Sequence, residues 1–154
     1  MKINFLEKVI GSGFYTGYVK KASGTFGSLA GIIIYLIPGF ENPSIMIFFI
    51  TLFILIGVPI ARKFESVYGE DPKEYTNDEV IGMWITLIFI PKKIWWIAIG
   101  FLLFRVFDIW KPFPARQLEK VKKGWGVILD DVAAGLYSFI VLQIIVLVVN
   151  MLTQ

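Results

Sequence analysis

The residues of this sequence that could carry out chemistry are charged side chains between two strongly apolar segments. Ionisable groups in an apolar setting cost free energy unless they are paired, so they are candidates for function. Carboxylates held close together there favour a bound divalent cation with a phosphate ligand, and neighbouring Arg and Lys side chains suit the phosphate. The stretch from residue 104 to residue 135 therefore indicates half of a metal-dependent phosphate site. Its candidate residues are Arg105, Asp108, Lys111, Asp130 and Asp131.

Two further motifs begin apolar segments. Asp78 and Glu79 open one of them, while Thr25 and Ser28 lie just ahead of another. Such residues are typical of a helix N-terminus, where free backbone N–H groups and the helix dipole favour an anion. When each motif is taken alone, an ordinary helix cap explains it better than a functional site does. Their convergence on one side of the protein with the cationic residues above favours a site.

The composition predicts a membrane protein with one domain over residues 1–154. Hydrophobic residues make up 56% of the chain, against about 45–50% in soluble domains, and the mean hydropathy is +0.72. The net charge of +3 is scattered, and this argues against a nucleic-acid partner. Cysteine and histidine are absent, so thiol and imidazole chemistry are both excluded.

The apolar pattern predicts an all-α fold, an integral membrane bundle of about four to five apolar helices. Some of these segments are short, because eleven helical residues give only about 16 Å against a hydrocarbon core of about 30 Å. A hydrophilic connection over residues 62–77 and an interfacial helix over residues 113–123 complete the expected elements. The apolar segments are residues 29–37, 44–60, 80–90, 94–107 and 132–152.

Alternating helix directions place all of the candidate groups on one side of this bundle. That side also holds every Lys and Arg except Lys92 and Lys93, so the positive-inside rule assigns it to the cytoplasm. The sequence therefore predicts a multi-pass protein of the inner (cytoplasmic) membrane with an acidic active site that faces the cytoplasm.

The geometry of adjacent acids predicts how this site is built. Neighbouring residues on a helix point about 100° apart, so each acidic pair sends one carboxylate into a shared centre while the other caps its helix or supports a ligand. Oxygens from three helices with added waters suit Mg²⁺. Without Cys or His, attack by metal-activated water is the simplest mechanism, and an aspartyl-phosphate intermediate stays open. The location indicates a lipid with a phosphate monoester.

Four motifs together resemble the phosphatidylglycerophosphatase A family over almost the whole chain. The resemblance implies an all-helical fold and Mg²⁺-dependent hydrolysis of the phosphate monoester of phosphatidylglycerophosphate, which gives phosphatidylglycerol and inorganic phosphate. It also implies soluble relatives, so that not every apolar segment must span a membrane. The motifs are SGTFGSL at residues 23–29, DEVIGMWIT at 78–86, FRVFDIWKPFP at 104–114 and GWGVILDDVAAG at 124–135.

The family pattern coincides with the acidic and cationic groups collected above, and one departure is that Ser23 stands where the family has proline. We expect the carboxylates to act in catalysis and to bind the metal, with Asp130 capping its helix or supporting a ligand. The expected catalytic residues and metal ligands are Glu79, Asp131, Asp78 and Asp108. The residues expected to bind the substrate phosphate are Arg105, Lys111, Thr25 and Ser28.

Three other functions each fit part of this sequence. A small ion or proton carrier would use the same carboxylates, but it would need a polar path across the membrane, and the far halves of these helices offer almost none. A purely structural membrane protein does not explain why the acids share one side with Arg105 and Lys111. A CDP-alcohol phosphotransferase would carry a DG, an AR and two further spaced aspartates, a pattern that this sequence lacks. The carrier is the main alternative, and the oligomeric state stays open.

Overall fold

The computed structural model describes residues 2–153, and in that part of the chain the fold is helical with no β-strand. This confirms the predicted all-α class. A 3₁₀ turn at Thr16–Tyr18 follows the first helix. The helices are α1 (Phe5–Gly11), α2 (Ser23–Tyr35), α3 (Pro43–Tyr68), α4 (Asn77–Leu87), α5 (Ile94–Trp110), α6 (Ala115–Leu118) and α7 (Trp125–Leu152).

Helix α4 forms the centre of the bundle and packs against α2, α3, α5 and α7. Nearly all of its residues are buried, and the Trp84 Nε1–H donates a 3.0 Å hydrogen bond to the Gly31 carbonyl of α2. The sequence reading treated residues 80–90 as one more apolar helix of a membrane bundle. The structure instead buries residues 80–87 inside the protein and leaves Phe89 exposed, because a helix that is apolar on all sides suits a protein core as well as a bilayer.

Two helices of the described chain, α3 and α7, are long and apolar enough to cross a membrane. They contain 26 and 28 residues, and each buries less than half of its most apolar stretch within the bundle. Helices α2, α4 and α5 are shorter, with 13, 11 and 17 residues. The predicted bundle of about four to five apolar helices is therefore not confirmed, since two helices of the described residues have membrane-spanning length.

Three element boundaries differ from the predicted ones. Helix α2 begins six residues before the apolar run, and α3 extends to Tyr68, into the first part of the segment expected to be a hydrophilic connection. Phe64 explains the longer α3, because it is fully buried and packs its ring 5.4 Å from that of Tyr75, so tertiary packing outweighs the polar local sequence. The predicted interfacial helix over residues 113–123 is reduced to the single turn of α6.

Candidate active site

The acidic ends of α4 and α7 are brought together by a glycine contact one turn further along both helices. A Cβ atom on Gly135 would lie 2.7 Å from the backbone oxygen of Gly82, which is closer than real side chains allow. Gly82 follows Asp78 by one turn, and Gly135 follows Asp131 by one turn. Because only glycine permits this approach, the two helices are close enough at this level for their carboxylates to converge.

Asp78, Glu79 and Asp131 form one group, here called the acidic cluster. Each offers a carboxylate oxygen, and these oxygens lie within 4.8 Å of one another. Asp78 and Asp131 are buried, and the Glu79 Oε2 atom is buried without a hydrogen-bond partner. An all-oxygen set of ligands suits a hard cation such as Mg²⁺, Mn²⁺ or Ca²⁺, and the unpartnered oxygen is available to bind it. The chemistry of the residues therefore fits a divalent cation.

The pKa values of the two α4 carboxyl groups show how strongly this setting opposes negative charge. Burial raises the pKa of Asp78 well above its usual range, and the neighbouring Glu79 carboxylate raises it further. Removal from water also raises the pKa of Glu79, although a hydrogen bond with Asp78 and the charge of Arg105 partly oppose that effect. A positive charge among these groups would stabilise their ionised forms.

Arg105 and Asp108 lie beside the acidic cluster at the end of α5. The Arg105 Nη1 atom is 2.7 Å from Asp108 Oδ2 and donates a long, 3.5 Å hydrogen bond to Ser28 Oγ. Its Nε–H is buried without a partner, so the guanidinium keeps an unused donor. Asp108 also neighbours Glu79 and Asp131. Its predicted role as a metal ligand remains a prediction, since Arg105 already binds one of its oxygens.

Lys111 is the second cation near the acidic cluster, and it pairs with two carboxylates outside that cluster. Its Nζ atom lies 2.8 Å from Asp130 Oδ2 and 3.0 Å from Glu119 Oε1. Burial lowers the pKa of Lys111, but the hydrogen bonds and charges of these acids outweigh it and leave the pKa raised. Asp130 therefore contacts a cation instead of the acidic cluster, and its supporting role stays a prediction.

The N-terminal part of α2 also contacts the charged groups of the site. Thr25 and Ser28 lie within this helix and not ahead of it, and the N-cap residue Ala22 supplies no side-chain hydrogen bond. The Ser28 hydroxyl is buried and donates to the Gly24 carbonyl at 2.9 Å. The expected hydroxyl cap is thus wrong, while the part of both residues in phosphate binding is still a prediction.

At Gly24 the backbone of α2 lies close to the charged groups of Glu79 and Arg105. A Cβ atom there would lie 2.6 Å from Glu79 Oε1 and 3.0 Å from both terminal nitrogens of Arg105. The sequence reading included Gly24 in a motif without giving it a role, and it assigned no role to Glu119. Small residues inside apolar helices were the signal that could have identified the Gly82 and Gly135 contact.

We expect Gly135→Ala to destabilise the protein, since its new methyl group would press on backbone and not on a flexible side chain. Overpacking of this kind typically costs about 1–3 kcal/mol. Thermal unfolding in detergent, followed by circular dichroism, would measure the change. Gly100→Ala is the matched control, because its Cβ would meet only the side chains of Leu142, Leu87 and Thr86, at 3.1 to 3.4 Å. Equal unfolding temperatures for the two variants would contradict the close helix contact.

The chain is similar to several known proteins. The family model described as phosphatidylglycerophosphatase A matches residues 9–146. A putative phosphatidylinositol-3-phosphatase of Bacteroides thetaiotaomicron is 40% identical over 149 residues, which cover 92% of this chain and 94% of that protein. A phosphatidylglycerophosphatase A of Haemophilus influenzae is 38% identical, with coverage of 91% and 90%.

A third relative, the phosphatidylglycerophosphatase A of Escherichia coli, is also 38% identical and covers 82% of this chain and 75% of that protein. No solved structure matches the chain. The family model covers most of the sequence and includes all four of the motif regions named above. The chain therefore belongs to the phosphatidylglycerophosphatase A family.

Proposed function

We propose that this protein is a Mg²⁺-dependent lipid phosphatase that converts phosphatidylglycerophosphate to phosphatidylglycerol and inorganic phosphate. The observation that carries the proposal is the acidic cluster, with Arg105 and Lys111 on its flanks, in a chain of the phosphatidylglycerophosphatase A family. The H. influenzae and E. coli relatives carry the name of this activity.

Glu79, Asp131 and Asp78 would hold the metal ion, and Asp108 is the fourth candidate ligand. A divalent cation held there would supply Lewis-acid polarisation of the phosphoryl oxygens. Arg105 binds the phosphate with the donors that its contact with Asp108 leaves available, and Lys111 adds a second positive charge. Thr25 and Ser28 line the phosphate side of the site on α2.

The reaction proceeds by attack of water on phosphorus. The water oxygen forms a bond to phosphorus while the bond from phosphorus to the terminal glycerol oxygen breaks. The water proton passes to a carboxylate of the acidic cluster, and the carboxyl group so formed then gives a proton to the leaving glycerol oxygen. Arg105 and Lys111 stabilise the charge that develops on the transferred phosphoryl group.

We further propose that α3 and α7 span the cytoplasmic membrane and that the acidic cluster faces the cytoplasm. Within residues 2–153 the opposite end of the bundle has few charges: Lys92 pairs with Glu41 at 2.9 Å and donates to the Ile37 carbonyl, and Lys93 adds a third charged side chain. The positive-inside rule then assigns the acidic end, with the remaining Lys and Arg residues, to the cytoplasm. The shorter helices α2, α4 and α5 would lie toward the cytoplasmic leaflet.

A second candidate substrate is phosphatidylinositol 3-phosphate. The B. thetaiotaomicron relative, at 40% identity, carries the name of a putative phosphatidylinositol-3-phosphatase. Both lipids join a diacylglycerol through a phosphodiester to a polyol that carries a phosphate monoester. The acidic cluster and its cationic flanks suit the monoester of either lipid, so the two substrates must be compared directly.

Phosphate release by the purified protein in detergent tests the proposal. We expect rapid release from phosphatidylglycerophosphate with Mg²⁺, none with excess EDTA, and recovery when Mg²⁺ is restored. Faster release from phosphatidylinositol 3-phosphate would replace the first substrate by the second. No release from either lipid, with the helical fold verified by circular dichroism, would favour the ion or proton carrier.

We expect Lys92→Ala to leave phosphatase turnover within about twofold of the wild-type value, because an exposed ion pair contributes little to stability. Lys92 lies at the end of the bundle opposite to the acidic cluster, so it has no contact with the substrate phosphate. The measurement is the initial rate of phosphate release at saturating lipid. A loss of tenfold or more would contradict the proposed topology.

A further inference from the structure

An apolar groove runs between α6 and the first half of α7, outside the acidic cluster. Its volume is about 370 Å³, within the range of about 300–1,000 Å³ that is typical of ligand pockets. The α7 residues of its wall recur at spacings of three and four, so they form one stripe along the helix. The groove is lined mainly by Pro114, Leu118, Val132, Ala133, Leu136 and Ile140.

A basic pocket of about 420 Å³ adjoins one end of this apolar groove. It is lined by Trp110, Lys111, Pro112, Phe113, Arg116 and Gln117. Phe113 belongs to the basic pocket and Pro114 to the apolar groove, so the two share a wall. The Tyr137 hydroxyl, from the groove side, donates to the Phe113 carbonyl at 2.5 Å and fixes this junction to α7.

Two features connect these spaces to the candidate active site. Lys111 lines the basic pocket and also contacts Asp130, which directly precedes a member of the acidic cluster. Arg116 is exposed and forms no salt bridge within residues 2–153, so its charge is available to a ligand. The basic pocket, with Lys111 and Arg116 in its lining, therefore lies between Asp130 and an apolar wall that extends along α7 from Leu129 to Ile140, about 16 Å.

We propose, building on the phosphatase function above, that the apolar groove holds one acyl chain of the lipid substrate and that Arg116 binds its internal phosphodiester. The substrate carries matching chemical groups in the same order: a phosphate monoester, a negatively charged phosphodiester and an apolar chain. The groove runs away from the acidic cluster in the direction of α7, the direction that an acyl chain takes into the bilayer. The groove and Arg116 thus select a diacyl lipid over a soluble phosphomonoester.

Filling the groove tests the acyl-chain part of the proposal. Leu136→Trp adds bulk to the groove wall, and Leu147→Trp is the matched control, since Leu147 is also exposed (60% against 49% for Leu136) on the same side of α7 but beyond the groove. Each variant is assayed on dioleoyl and on dihexanoyl phosphatidylglycerophosphate. We expect Leu136→Trp to raise KM about tenfold for the dioleoyl lipid, with kcat and the dihexanoyl kinetics unchanged, and Leu147→Trp to change neither substrate.

Equal effects of the two tryptophan variants, or equal effects on both chain lengths, would overturn the acyl-chain assignment while the phosphatase function stands. A wild-type protein that hydrolyses neither lipid would overturn the phosphatase function itself, and this inference with it. The two failures are distinguishable because the wild-type rates are measured first.

Removing the charge of Arg116 tests the headgroup part. Phosphatidic acid has the phosphate monoester but no internal phosphodiester, so it serves as the comparison lipid. We expect Arg116→Gln to raise KM about tenfold for phosphatidylglycerophosphate and to leave phosphatidic acid unchanged. Lys122→Gln, an exposed charge outside the basic pocket, is the control. The same loss on both lipids would show that Arg116 does not read the phosphodiester.

Discussion

Replacing Asp131 by asparagine is expected to lower phosphate release at least a thousandfold while the helical content stays the same. The carboxylate belongs to the acidic cluster, and an amide oxygen of the same shape is a neutral, weaker ligand for a hard cation. The fold should survive, because the side chain serves the site and the substitution conserves its volume. Glu79→Gln is expected to have a similar effect, since Glu79 belongs to the same group and has a buried oxygen without a hydrogen-bond partner.

The measurement combines kcat with the dependence of the rate on Mg²⁺ and with circular dichroism of each variant. Glu70→Gln is the matched control, because Glu70 is an exposed carboxylate outside the acidic cluster. Near-normal turnover in Asp131→Asn, or an equal loss in Glu70→Gln, would show that the acidic cluster is not the catalytic centre.

The helical class and the order of the apolar segments could be predicted because both follow from local hydrophobicity. The position of α4 could not. A sequence that is apolar on every side satisfies a bilayer and a protein core alike, and only the packing of α2, α3, α5 and α7 around residues 77–87 decides between them. The extension of α3 to Tyr68 was hidden for a similar reason, since the buried ring of Phe64 stabilises helix that the polar residues around it do not predict.

The candidate site was predictable as a set of residue types but not as a set of contacts. Alternating helix directions correctly collect Asp78, Glu79 and Asp131 at one end, because topology alone determines which helix ends are neighbours. The pairing of Asp130 with Lys111, however, depends on the rotation of α7 about its axis. The contact between Gly82 and Gly135 restricts that rotation, and hydrophobic periodicity does not reveal it; the small residues inside the two apolar helices are its only mark in the sequence.

The start of α2 shows how tertiary packing decides what the local sequence leaves open. Hydroxyl residues at positions 23–28 predicted a cap, yet the helix begins at Ser23 with Ala22 in the left-handed region at φ 57°. A glycine is required at position 24, inside this first turn, because Glu79 and Arg105 occupy the space that a side chain would fill. A cap motif and a close-packing motif use similar small residues, so the sequence did not distinguish them.

Arg105→Lys, although it conserves the charge, is expected to reduce kcat about a hundredfold to a thousandfold, the range typical of losing one donor that stabilises a transition state. The guanidinium can bind Asp108 and still offer other N–H groups to phosphate, whereas a shorter ammonium group that stays with Asp108 has a different geometry and fewer donors. Since Asp108 remains paired, the fold should not change.

The assay separates kcat from KM and adds inhibition by inorganic phosphate as a direct measure of phosphate binding. Arg62→Lys is the matched control, because Arg62 is exposed on α3 and lies outside the site. If Arg105 stabilises the transferred phosphoryl group, kcat falls with little change in the Mg²⁺ dependence, which the acidic cluster controls. A lysine variant with wild-type kcat would mean that Arg105 only neutralises Asp108, and phosphate recognition would then depend on Lys111.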